Sequence, residues 1–272
     1  MIATAEDGAG PAPAFVAVRA RLGLIGLLFV LAAVSWWFTA VEMRGMDDGP
    51  GTPLGSLGWF VGVWTVMMAA MMLPSVSPTV ALYSRMTRSR VPVAPLAFTS
   101  GYIVTWAAAG LLAFGISDAG HRLLGTQITW DRGGRWVAGA ILAAAAVYEL
   151  TPLKNVCLGK CRSPLGFLLG SWRPGRRGAL QMGARHGLWC VGCCWALMAA
   201  LFALGVMSLA WMALVAAFIA AEKVLPKGRV VTFGIAAVLL TLGILLVAAP
   251  DVLPWLTIPG KSGPDMGGMT GM

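Results

Sequence analysis

All five cysteines of this 272-residue chain fall between positions 157 and 194. Cys157 and Cys161 form a CxxxC pair, and Cys190, Cys193 and Cys194 form a CxxCC group that starts four residues after His186. On a helix with His186 at zero, Cys190 falls at about 40°, Cys193 at about −20° and Cys194 at about 80°. One helix face therefore carries an imidazole and three sulfurs. An odd number of thiols in so short a stretch points to a metal site or free-thiol chemistry rather than a disulfide framework. Thiolate-rich sites select zinc, Cu(I) or iron–sulfur clusters. Lys154, Lys160 and Arg162 flank the CxxxC pair, and neighbouring cations favour the thiolate that binds metal.

A second set of soft donors comes from methionine. Met67, Met68, Met71 and Met72 cover an arc of about 140° on a helix, and Met198 lies one turn beyond Cys194. Met266, Met269 and Met272 make an MxxMxxM pattern in a polar C-terminal stretch beside Asp265. Thioethers suit Cu(I); the competing reading of the first set is flexible core filling. Hard ligands are scarce, with only His121 and His186 in the chain. Glu149 is the one acid within an apolar stretch, which makes it a functional candidate by default. A structural pair with Lys154, or with Lys223 beside Glu222, is the alternative. No phosphate loop, GxGxxG or nucleophile elbow is present, so no catalytic residue is assigned.

The elements that must position these donors follow from composition. The chain is 58% hydrophobic and 11% charged, with a mean hydropathy of +0.79, whereas soluble domains carry about 25% charged residues. The expected fold is all-α and polytopic, with about seven transmembrane helices at 22–41, 57–82, 92–116, 134–152, 187–205, 207–222 and 230–249, each near the ~20 residues that a span requires. Residues 1–21 are expected to be a disordered leader and 250–272 a Met-rich tail. With the N-terminus cytoplasmic, fifteen basic residues fall on the inner side and five on the outer, which predicts N-terminus in and C-terminus out by the positive-inside rule. The net charge of +9 is thereby accounted for by a lipid bilayer, without nucleic acid. The cysteines then sit near the cytoplasmic side of a bacterial inner membrane.

Several strings together are specific. They are Trp64-Thr-Val-Met67-Met68-Ala-Ala-Met71-Met72-Leu-Pro74-Ser75, Leu150-Thr-Pro152-Leu-Lys154-x-x-Cys157-Leu-x-x-Cys161-Arg-x-Pro164, Gly187-x-x-Cys190-Val-Gly-Cys193-Cys194-Trp195-x-Leu-Met198 and Glu222-Lys223. The combination resembles a bacterial family of predicted metal-binding integral membrane proteins of unknown function, over roughly residues 57–225. The resemblance implies a polytopic membrane fold and a metal, and supplies neither reaction nor ligand set.

The residues themselves favour handling of Cu(I), as transport, storage or delivery to a copper enzyme or metallochaperone partner. Capture would fall to Met266, Met269 and Met272, passage to Met67, Met68, Met71, Met72 and Met198, and strong binding to Cys157, Cys161, His186, Cys190, Cys193 and Cys194. Three other readings compete. One is a component of a copper-dependent membrane oxidoreductase or mono-oxygenase, one a dithiol oxidoreductase using Cys190 and Cys193, and one a structural zinc site of Cys157, Cys161, Cys190 and Cys193.

Overall fold

A computed structural model describes residues 13–44, 55–87, 93–124, 133–205, 208–225 and 228–249. These residues are helical throughout, without strands. In chain order the helices are α1 Pro13–Glu42, α2 Leu57–Met86, α3 Val93–Leu124, α4 Arg135–Glu149, α5 Pro152–Arg162, α6 Pro164–Ser171, α7 Gly175–Leu204, α8 Leu209–Val224 and α9 Gly228–Ala248. Five stretches are long and apolar enough to cross a membrane, in α1, α2, α3, α7 and α9. They become six if the bent α4–α5 pair counts as one.

This differs from the seven expected spans at identifiable places. The fourth stretch breaks after Glu149 into two helices bent by 66°. Pro152 has no N–H to continue the ladder and disfavours helical backbone at Thr151. Thr151 then caps the new helix, its hydroxyl accepting from Lys154 N. The sixth stretch is a helix of only 16 residues, short of a full crossing. The fifth starts at Gly175 rather than 187, through a segment whose three arginines made it read as a loop. Its N-terminal half is helical because it packs on α3. The first helix likewise begins at Pro13, where proline suits the opening turn, rather than at 22.

α7 is the central element, lying along α3 and meeting α4, α5 and α8, while α1 packs on α2 and α9 on α4. Small residues allow the helix backbones to approach. A β-carbon at Gly183 would lie 1.8 Å from Phe98 O, and one at Gly101 would lie 2.1 Å from Leu180 O. Gly183 and Gly187 thus form a GxxxG notch that receives α3, and the Thr105 hydroxyl donates across the seam to Ala184 O at 3.2 Å. Gly205, at φ +115°, ends α7 in a conformation that side-chain-bearing residues avoid. In α2, Pro78 cannot donate to the Pro74 carbonyl, and the Ser77 hydroxyl does so instead at 2.8 Å. That substitution is how prolines persist inside apolar helices.

The Gly183 contact yields a stability prediction. Gly183→Ala should force α3 and α7 apart and destabilise the fold by about 3 kcal/mol, the upper end for overpacking, because the clash is with backbone. Gly26→Ala, whose β-carbon meets nothing within 4 Å, should leave stability unchanged or slightly raised. Thermal unfolding of the detergent-solubilised protein reads both.

Candidate metal centre

Two helices supply the sulfurs. α5 carries Cys157 and Cys161, and α7 carries Cys190, Cys193 and Cys194. They meet because Gly192 lacks a side chain, so that a β-carbon there would lie 2.9 Å from Cys157 Sγ. The Tyr148 hydroxyl, from α4, donates to Gly192 O at 2.5 Å, and its ring packs edge-on against Trp195.

The Sγ atoms of Cys161, Cys190 and Cys193 all lie within 4.8 Å of one another, with 3.8 Å between Cys161 and Cys193. A metal–thiolate bond of about 2.3 Å requires sulfurs about 4 Å apart in a trigonal site, so this spacing fits one ion among three thiolates. Cys190 and Cys193 are buried, while Cys161 is half-buried and gives the group its accessible edge.

Not every expected donor joins the group. Cys157 is placed against Gly192, outside the three-sulfur cluster. Cys194 is not one of the three mutually close sulfurs, although its thiol, like that of Cys193, donates to the Cys190 carbonyl, at 2.9 and 3.1 Å respectively, and it lies beside the Cys190 and Cys193 sulfurs. His186 is buried one turn before Cys190 and packs among the rings of Phe98, Tyr102 and Phe167. Met67, Met68, Met71, Met72 and Met198 are all buried in the core. Among the described residues, Met72 is linked to the sulfur group through Lys223. Met266, Met269 and Met272 lie outside the described residues.

The polar surroundings of Cys190 are what sequence reasoning missed. The Lys223 ammonium is 3.2 Å from Cys190 Sγ, 3.0 Å from Ser75 Oγ and 4.0 Å from Met72 Sδ. The Tyr102 hydroxyl is 3.1 Å from the same sulfur. An ammonium and a phenol beside one sulfur supply the countercharge and hydrogen bond that an anionic ligand needs inside a protein. The expectation that Lys154, Lys160 and Arg162 serve the thiols is corrected. Lys160 is exposed, the Arg162 guanidinium binds Leu225 O, and Lys154 turns to carboxylates. An acid and a cation side by side, Glu222 and Lys223, in the last turn of an apolar helix were the available signal.

Lys154 has no exposure to solvent and sits between Glu149 Oε2 and Glu222 Oε1, the latter at 2.6 Å. The Lys154 partner for Glu149 is thus the one adopted, and Glu222 completes a triad joining α4, α5 and α8. Lys154 and Lys223 were counted among loop cations facing the inner side, and both prove to be internal contacts.

A family model described as "PpoB2: Copper chaperone" matches residues 61–246, about two thirds of the chain. It covers all five cysteines and every residue of the triad. No curated protein and no solved structure matches the chain.

The triad generates its own prediction. Lys154→Met strands two carboxylates in the interior and should cost about 3–5 kcal/mol. The triple variant Glu149→Gln, Lys154→Met, Glu222→Gln removes every charge and should be the more stable of the two. Comparing their denaturant midpoints in the same detergent checks the order.

Proposed function

The chain belongs to the PpoB2 copper-chaperone family, and from that premise we propose that it is an integral membrane carrier that holds Cu(I) on Cys161, Cys190 and Cys193 and delivers it to a copper enzyme or metallochaperone. The single observation that carries this reading is the convergence of three thiols from two helices at metal-bridging distances. Thiolate-rich sites select Cu(I), zinc or iron–sulfur clusters, and the family match favours copper among them. Copper here is cargo, and the site has the properties that cargo demands. Three thiolates bind strongly, yet a three-coordinate ion leaves an open direction through which a partner's ligand can attack. Closed four-thiolate sites are the structural ones, and the separate position of Cys157 argues against that arrangement. One Cu(I) among three thiolates leaves a net charge of −2, which Lys223 beside Cys190 partly offsets.

Membrane insertion is supported by the length and hydropathy of the five candidate helices. It is also supported by apolar side chains on the outward faces, such as Leu27, Phe29, Val30 and Val34 of α1, Leu112 and Ile116 of α3, and Phe233 and Ile244 of α9. We assign the N-terminus to the cytoplasm and the C-terminus to the outside of a bacterial inner membrane, from the charge bias of the connections. On that topology Met266, Met269 and Met272 serve as an outer capture site. The buried methionines Met67, Met68, Met71, Met72 and Met198 are weaker thioether stations on the way to the thiols.

The reading predicts a selective loss pattern. Protein purified anaerobically after Cu(I) loading should retain one copper. Each of Cys161→Ser, Cys190→Ser and Cys193→Ser should weaken retention at least about tenfold, while Cys157→Ser should retain copper like the wild type. Copper retained by the Cys161/Cys190/Cys193→Ser triple variant, or stoichiometric zinc in its place, would falsify the assignment. Elemental mass spectrometry against a competing chelator provides the readout.

A further inference from the structure

Two copper-type donors lie on α7 just before the sulfur group, and the three-thiol site uses neither. Met182, His186 and Cys190 succeed one another at four-residue intervals, a spacing that makes neighbours on a helix surface, with β-carbons about 5–6 Å apart. All three are buried, at 1%, 3% and 1% exposure. Nδ1 of His186 has no hydrogen-bond partner among the described residues. Buried polar atoms nearly always have one, and the aromatic rings around His186 supply none to this nitrogen. Tyr102 touches both stations, its ring packing on His186 and its hydroxyl lying 3.1 Å from Cys190 Sγ. At the far end, Met182 Sδ accepts from Arg173 N at 3.2 Å. Arg173 belongs to the 172–174 connection between α6 and α7, whose residues are exposed. Helical spacing thus places one thioether, one imidazole and one thiol in succession between that surface connection and the sulfur site.

We propose that His186 and Met182 form a transfer path through which Cu(I) passes between the three-thiol site and the surface at the α6–α7 connection, with His186 Nδ1 as the intermediate ligand. The inference rests on the Cu(I)-carrier reading above and extends it to the route of exchange. Each step is a ligand exchange in which a bond from copper to the next donor forms as a bond to the previous one breaks. The released electron pair stays on the departing donor and copper remains Cu(I). Imidazole and thioether are both neutral, so no proton moves at either station. When copper leaves, Cys190 keeps its negative charge, with the Lys223 ammonium beside it. The donors also grade in strength, from weak thioether through imidazole to strong thiolate, so the ion is never left without a ligand in the interior.

The test uses full-length protein in lipid nanodiscs, loaded with one equivalent of Cu(I) and challenged with the soluble chelator bathocuproine disulfonate. His186→Phe fills the aromatic cage and removes the donor. It should retain one copper with an unchanged sulfur shell in X-ray absorption, while its release slows at least about tenfold. Met182→Leu should slow release several-fold, and His186→Met, which restores a soft donor, should recover most of the rate. Release from His186→Phe at the wild-type rate, or equally slow release from His186→Phe and His186→Met, would overturn the path. Loading Cys193→Ser in parallel separates the two levels. If it holds copper as the wild type does, the carrier site itself is wrong and the path falls with it. If it loses copper while His186→Phe releases normally, only the path is wrong.

Discussion

A lysine with no access to water, shared by two carboxylates, is the constraint on which the metal centre depends. Taking three ionisable groups out of solvent is expensive, and leaving any of them unpaired costs several kcal/mol. Lys154 of α5 can meet Glu149 of α4 and Glu222 of α8 only if those three helices are held in register. Two consequences follow. α5 is fixed after its proline break, so Cys161 is presented to α7. Glu222 is fixed as well, and because successive residues on a helix diverge by about 100°, holding Glu222 in the triad aims Lys223 at Cys190, Ser75 and Met72.

Against that frame α7 is set by a different force. Its seam with α3 is made of glycines whose missing side chains let backbone meet backbone, and its seam with α5 uses Gly192 in the same way. Close helix packing gives Cys190 and Cys193 little freedom, so the sulfurs are held at the spacing that a metal ion would need. Pre-organisation of this kind lowers the cost of binding. A site with three sulfurs also leaves a coordination direction free for the next donor. Strong binding and ready release are the two demands on a copper chaperone, and the donor count and geometry address both.

The helical class and the cysteine group were legible in the sequence, because sulfur-bearing residues clustered at helical spacing and the composition was far more apolar than that of a soluble domain. The sequence brought out Cys161, Cys190 and Cys193 as candidates but did not separate them from Cys157 and Cys194. Spacing gives the face of a helix, whereas only packing shows that Gly192 draws Cys157 to one side and that Cys161 of α5 comes up to Cys190 and Cys193. Charge was misread for a related reason. Lys154 and Lys223 stand near the ends of apolar stretches, where most cations face water, and their burial depends on partners 68 and 33 positions away in the chain. Five to six candidate spans stand among the described residues where seven were expected, and the differences have physical reasons. Pro152 split one stretch, and packing on α3 extended another through arginines that alone would mark a loop.

The central claim is that one Cu(I) ion sits among three thiolates drawn from α5 and α7. X-ray absorption at the copper edge, on anaerobically loaded full-length protein, tests it most directly. The account predicts the edge of a three-coordinate Cu(I) ion and a first shell of three sulfurs at about 2.3 Å, close to the metal–thiolate distance that fits the spacing of Cys161, Cys190 and Cys193. A first shell dominated by nitrogen or oxygen would contradict it, as would a Cu(II) edge.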